Sequence, residues 1–567
     1  MKLLILFFII SPGLLMLLSD TQQPQQQRTT LRSTAYCAPS FDPQKLNAGE
    51  APIFKGLGSL HFPITTGSAK AQQYFDQGLT LVYAFNHGEA GRSFKAAISY
   101  DSTAAMAYWG LAMVLGPNYN APLNPTSLND INNAINKAVL YSADASPSAK
   151  VLIHALRQRF PEAEVKDMGP YNAAYATAMK KAHEAFPGDL NIAALYADAM
   201  MNEHPWNLWL KDGTAQPWTP PIVELLEKIL AADPGHVGAN HMYIHVMEAS
   251  PQVDRALPSA DRLRDMLPAA GHLVHMPSHI YIRTGDYHKG VIANEKASDA
   301  DSNYIAQCKV QGIYPMVYYP HNIHFLAACA FLEGNTKKAI AAAWSVSNHA
   351  DKKYIKEVAA IQHYSIIPFY VLVQTGKWNE ILKLEKPDST LIYPTAIWHY
   401  ARGMAFNALN DSATAKIELA SLEKIAKDSA LANLLIWDLN SVAQLVQIAV
   451  DVLTAEIKSS SGLYDEAIIL LKHAKDIEDG LMYQEPPDWF FSTRHTLGHV
   501  LLKAKRFAEA EKVYEEDMVT YPENGWALMG LYKSLLGQRK NTAAKLVKAR
   551  FDKAWKWSDV LINSSRI

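Results

Sequence analysis

The sequence predicts an all-α protein built from stacked helix pairs, on three observations. Beyond residue 65, apolar residues recur at i, i+3, i+4 and i+7 with short turns between, and no stretch alternates like a strand. Small residues recur at fixed offsets from Gly–acidic turns, as at Ser278 before Gly285-Asp286. Two phrases of one pattern, His241-Met242-Tyr243-Ile244-His245 and His275-Met276-Pro277-Ser278-His279, lie 34 residues apart. A fixed period of that size marks a chain of supersecondary units, each burying its apolar face on the next.

The chain has 567 residues, too many for one compact core and suited to a long solenoid. Apolar residues make up 49% and charged residues 19%, and 53 basic against 55 acidic residues leave a net charge of −2. With no Lys/Arg run, the composition gives no reason to expect a nucleic-acid partner.

Residues 1–20 read as a secretory signal peptide. One lysine precedes an apolar run that Pro12-Gly13 breaks. The small-residue cleavage feature is weak at Leu18-Ser19-Asp20, so an uncleaved anchor is the alternative, and only that alternative implies a membrane. The expected location is periplasmic or secreted. Residues 21–64 are expected to be disordered or extended, with a polar start from Gln22 to Arg32. Residues 65–340 read as an N-terminal solenoid carrying the histidines, and 341–567 as a C-terminal solenoid. Cys37, Cys308 and Cys329 are an odd count, so at least one thiol is left over, and Cys37 with Cys308 stays an open pairing. Loops are expected at 116–135 and at 203–221, where Trp206, Trp209 and Trp218 should pack onto the solenoid or cap a pocket.

The repeats resemble those of the tetratricopeptide-repeat (TPR) family. The clearest copy is 493–526, with Gly498 inside the first helix, Arg506-Phe507 at the turn, Ala508 to Tyr514 opening the second helix and Pro522 closing it. Others carry Gly285-Asp286-Tyr287, Glu333-Gly334-Asn335 with Ala339, Tyr108-Trp109-Gly110, Gly78 through Ala90, and Leu463 to Ala474. The resemblance implies a right-handed superhelix whose first helices line a concave groove, and a protein or peptide as the usual partner. The phrases Phe85-Asn86-His87, His204-Pro205-Trp206, His275 through His279 and Tyr319 through Phe325 are also similar to those of exported bacterial TPR proteins. That similarity bears on fold and export, not on activity.

Histidines at i and i+4 share a helix face. In TPR proteins positions 2, 5, 9, 12 and 13 of the first helix face the groove. Carried over, this places His241 and His275 at position 5, His245 and His279 at 9, Glu248 at 12, His272 and His321 at 2, His324 at 5 and Arg283 at 13. His495 and His499 fall at 5 and 9 of a later repeat. Neutral imidazoles bind zinc, copper, iron or nickel. The expected metal ligands are therefore His241, His245, His275 and His279, meeting at a shared ion, with Glu248 able to complete the set and a zinc, copper or iron cofactor. The expected ligand-binding residues are His272, Arg283, His321, His324, Trp206, Trp209, Tyr318 and Tyr319. The functional expectation is an exported protein whose groove binds or transforms a small molecule or peptide at a metal site. The alternative is a non-catalytic scaffold for protein partners. No His-Glu-x-x-His sequence, phosphate-binding glycine loop or serine elbow is present, and catalysis is left open.

Overall fold

The computed structural model describes residues 51–308 and 314–567. Helices follow one another throughout, each packing mainly on its sequence neighbour. Side chains cap many of them. Ser68 caps Ala69–Tyr83, Asp189 caps Leu190–Glu203, Asn335 caps Thr336–His349, and Ser441 with Gln444 forms a capping box on Val442–Ser460. This is the all-α TPR-like solenoid that the periodicity predicts. One exception is a two-residue hairpin, Leu435–Ile436 with Asn440–Ser441, too short to leave an alternating pattern. No helix among the described residues is long and apolar enough to cross a membrane.

The small residues sit where helices touch. A Cβ on Gly498 would lie 2.3 Å from the Tyr514 ring, and one on Gly530 would lie 2.1 Å from it. Gly285 and Gly334 hold φ of +82° and +83° in the turns, a conformation that favours glycine.

Two hydrophobic clusters fill the interior, and they abut inside one helix, Pro277–Thr284. Residues through Tyr281 pack with the N-terminal cluster, and Ile282 begins the next. The segment 51–64, within the stretch read as disordered or extended, is extended and packed. Ala51 and Phe62 are buried, and Gln72 and Gln77 hold the strand-like backbone through their amides. Residues 1–20, the polar stretch 22–32 and Cys37 lie outside the described residues.

Two long-range contacts position the site. The first helix, Ala69–Tyr83, lies on Val237–Met247, where a Cβ on Gly238 would come 2.6 Å from the Tyr83 ring. The C-terminal helices fold back on the middle of the chain. Trp526 Nε1 donates to the Phe331 carbonyl at 2.9 Å, and Tyr287 Oη donates to the Pro522 carbonyl at 2.7 Å. This brings the loop around Glu485 over His279.

Candidate metal centre

The helix Val237–Met247 starts at His236, whose Nδ1 accepts from the Ala239 amide, and every residue of it is buried. His241 and His245 therefore face protein, not a solvent-filled groove. The next repeat opens with Gly271–His275, which runs into Pro277–Thr284. Pro277 has no N–H to continue the ladder, so the helix breaks at Met276. Gly271 lets this segment approach closely, since a Cβ there would meet the Asp301 carboxylate at 1.8 Å. His321 enters on the first turn of Tyr319–Leu332.

The structure sorts these histidines differently from the expected set of four. His241 and His245 gather with His272, and His275 and His279 gather with His321. In each triad one nitrogen per ring lies within 4.8 Å of the others. Around a tetrahedral ion with metal–nitrogen bonds of about 2.0–2.1 Å, nitrogens stand about 3.4 Å apart. Small side-chain rotations would close each triad. The reason for the split is geometric. Neighbouring repeats bring position 2 of one helix beside positions 5 and 9 of the helix before, so each His-x-x-x-His pair recruits a third imidazole. The triads adjoin, with ring centroids 6.1 Å apart for His272–His275 and 6.5 Å for His245–His279.

Four of the six rings are aimed from behind. His241 Nδ1 lies 2.6 Å from the Tyr83 carbonyl, which only accepts, so Nδ1 carries the proton and Nε2 keeps its lone pair. His245 Nδ1 donates to Glu248 Oε1 at 3.2 Å. His275 Nδ1 donates to Asn294 Oδ1 at 2.7 Å, and the Asn294 amide is oriented by its own bond to the Gly290 carbonyl at 2.8 Å. His279 Nδ1 donates to Glu485 Oε2 at 3.0 Å, while Glu248 Oε2 sits 2.9 Å away, off the N–H axis. A carboxylate or carbonyl behind a ring is the arrangement that fixes the tautomer of a metal-binding histidine. In front, Nε2 of His241, Nε2 of His245 and both nitrogens of His272 are buried without a partner. An unsatisfied buried polar atom costs about 1–3 kcal/mol, so four together are a large burden on a fold with no ion.

Electrostatics separates His279 from the rest. Burial, reinforced by neighbouring imidazoles, pushes His241, His272, His275 and His321 well below the usual histidine range. Burial would lower His279 too, but the Glu248 and Glu485 carboxylates outweigh it and raise it to about 9. Burial would raise Glu248, yet His279 and His245 hold it at about 2. At neutral pH His279 is an imidazolium whose Nε2 faces His275 Nε2 at 3.1 Å. Burial raises Glu485, against the pull of His279.

Glu248 thus contacts both triads, and with His279 and Glu485 it forms a third group able to hold an ion. Arg283 donates to the Glu248 carbonyl at 3.0 Å and lies 4.0 Å from Glu485. His324 joins neither triad and stacks on Phe490 at 4.8 Å. Tyr318 turns its edge to His272 at 5.1 Å, whereas Tyr319 packs on His349 away from the centre. Trp206 meets His245 edge-on at 5.8 Å and stays 43% exposed. Trp209 donates to the Val246 carbonyl at 2.6 Å. His495 pairs with Asp517 at 3.0 Å and His499 with Ser564 at 2.5 Å, both away from the triads.

Phe85 is a residue of the centre outside the expected set. At φ +53° it pushes its ring among His241, His245 and His272, at 4.6, 5.6 and 5.5 Å. Glu485 and Asn294 were missed as well. The Phe85-Asn86-His87 phrase marked the place of the first, but nothing local marks the other two.

No family model matches the chain, and no curated protein matches it. Among solved structures it is similar to human IFIT1 as a dimer with m7Gppp-AAAA, at 10% identity over 86% of this chain and 91% of that one, with a TM-score of 0.30. The APC/C Cut9–Hcn1 hetero-tetramer gives 12% identity, 86% and 74% coverage and a TM-score of 0.28. The TPR domain of P58(IPK) gives 13%, 86%, 98% and 0.18. Superpositions this loose say nothing about the histidines. The fold assignment stands on the chain's own helix pairs, and the expectation of no nucleic-acid partner rests on charge alone.

Proposed function

We propose that this protein is an exported transition-metal protein whose two histidine triads hold a pair of ions side by side, where a small molecule is bound or transformed. The observation that carries the reading is the convergence of unpartnered Nε2 atoms on His241 and His245 beside a wholly unpartnered His272. Neutral imidazole donors suit copper, zinc and iron and do not suit calcium or magnesium, and copper binds most tightly in the general order. Three protein ligands per ion leave a position for water or for a substrate atom. Two ions in adjoining triads can clamp one small ligand between them. Aromatic rings from Phe85, Tyr119, Tyr318 and Phe325 wall this space. Export to the periplasm or outside is supported by the reading of residues 1–20 as a signal peptide.

The test is metal content by elemental mass spectrometry on protein carrying no histidine tag. Two equivalents are expected, falling to one in His241→Gln/His272→Gln and to the other one in His275→Gln/His321→Gln. No metal in the wild type, even after exposure to copper, zinc and iron, would remove the metal reading. It would leave a solenoid that binds a protein or peptide partner, for which the histidine substitutions should not matter.

A further inference from the structure

Arg159 carries the second inference. It follows the helix Pro147–Arg157 and is 1% exposed. Among the described residues it makes no ion pair, and Nη2 is buried without a partner. Its Nε makes one long bond, to Asn172 Oδ1 at 3.4 Å. The guanidinium lies over the rings of Tyr175 and Phe160, at 5.0 and 5.9 Å, which hold the cation but accept no directed hydrogen bond. Buried charges are ordinarily paired, because desolvation of a lone ion is costly. A guanidinium buried this way lacks an anion.

A cavity of about 20 Å³ stands beside it, enough for one or two water-sized groups. Tyr83, His87, Asp198 and His241 border it along with Arg159. The Tyr83 hydroxyl is buried and unpartnered too. His87 supplies no charge, since Asn118 donates to its Nδ1 at 3.2 Å and burial, with Arg159, lowers it to about 4. Asp198 is the nearest acidic group, and burial raises it to about 6 against the pull of Arg159. Among the described residues it makes no ion pair with the guanidinium, and it gains a proton only below about pH 6. Arg159 is thus the fixed cation of a small space that a histidine of the first triad also borders.

We propose that this cavity docks a small planar oxyanion, a carboxylate of formate size, held by the Arg159 fork next to His241. A guanidinium presents parallel N–H groups that match a carboxylate's two oxygens, and the Tyr83 hydroxyl can donate to it. The site deepens the metal reading by naming the class of molecule brought to the first triad. It rests on that reading only for what happens there, since the anion needs no metal to bind.

The experiment titrates the full-length, metal-free protein with sodium formate by calorimetry and thermal melting, against sodium chloride at matched ionic strength. Formate is expected to bind saturably and to raise Tm by about 2 °C or more beyond chloride. Acetate, one methyl larger, should bind more weakly. Arg159→Lys, which keeps the charge and loses the fork, should weaken formate at least about 10-fold. A formate effect no larger than that of chloride would overturn the proposal and leave a water bridging Arg159 and Asp198. An undiminished effect in Arg159→Lys would overturn it as well. If that variant does not fold, acetate binding as tightly as formate in the wild type overturns it, because a space of about 20 Å³ favours the smaller anion. In protein loaded with cobalt(II), formate should perturb the visible spectrum, and an unchanged spectrum would refute the adjacency to the triad. Failure to load cobalt would count against the metal reading and leave the metal-free titration to decide on the anion.

Discussion

His279 holds two protons at neutral pH while His241, His272, His275 and His321 hold one each, and metal loading should reveal the difference. An ion in the second triad must displace the Nε2 proton of a group at about 9, whereas His241 and His272 of the first triad bring no such proton. Loading both triads at pH 7.5 should release about one proton from His279, read as the buffer dependence of the calorimetric heat. Equal heats in buffers of different ionisation enthalpy would refute the assignment. His272 offers a second check at this scale. His272→Ala should remove the ion of the first triad and leave the second bound, measured as one equivalent lost. Loss of both, or of neither, would show that the triads are not separate sites. The i, i+4 pairs were legible in the sequence because helical periodicity is local. The triads were not, because they depend on how far position 2 of one repeat reaches into the one before. The groups behind the rings were less legible still. A carbonyl at Tyr83 and a carboxylate at Glu485 carry no sequence mark of their purpose.

At the scale of elements, the helix pairs stand or fall on their small residues. Gly498→Ala forces a methyl group into the Tyr514 ring and should cost about 1–3 kcal/mol, in the range of overpacked cores. Gly480→Ala, at the end of Tyr464–Gly480, meets nothing within 4 Å and should be neutral or slightly stabilising. Urea midpoints of the two variants distinguish the cases, and equal midpoints would contradict the packing described. These contacts were readable from sequence because a fixed spacing repeats them. The hairpin at Leu435–Ser441 and the packed extended segment at 51–64 were not. Neither repeats, and both are held by contacts with segments distant in sequence, such as Asn440 to Asp488 and Tyr74 to Ala51. The break at Met276 has a local cause in Pro277, yet His275 and His279 on either side of it still meet in one triad, which shows only once the repeats are stacked.

Over the whole molecule, buried neutral imidazoles set the response to acid. His241, His272, His275, His321 and His324 are pushed well below 6.5 by burial, His87 to about 4, and His363 and His499 to about 3. Below pH 6.5 the unfolded chain takes up protons at these positions and the folded chain does not, so their contribution is present above that pH and is lost as the pH falls. Asp301, Glu478 and Asp488, raised by burial to about 7, and Asp198, raised to about 6, act in the opposite sense between about pH 4 and 7, but they are fewer than the histidines. His279, raised to about 9, contributes fully below 6.5 and loses its contribution only on the alkaline side. The melting temperature of the metal-free protein should therefore fall from pH 7.5 to 5.5, by an amount corresponding to several kcal/mol. A flat or rising profile would contradict the burial described. Bound metal should raise the melting temperature at pH 7.5, since it stabilises only the folded chain. The distant partner of the second triad has a consequence for the chain as it is made. All six imidazoles lie between residues 241 and 321, but the Glu485 carboxylate that holds His279 comes 206 residues after it. A growing chain presents every donor well before that anchor is synthesised. Early ions would meet loosely held imidazoles on a ribosome-bound intermediate, and the choice of metal would follow local abundance. Faithful loading would have to wait for the last repeats to emerge and dock.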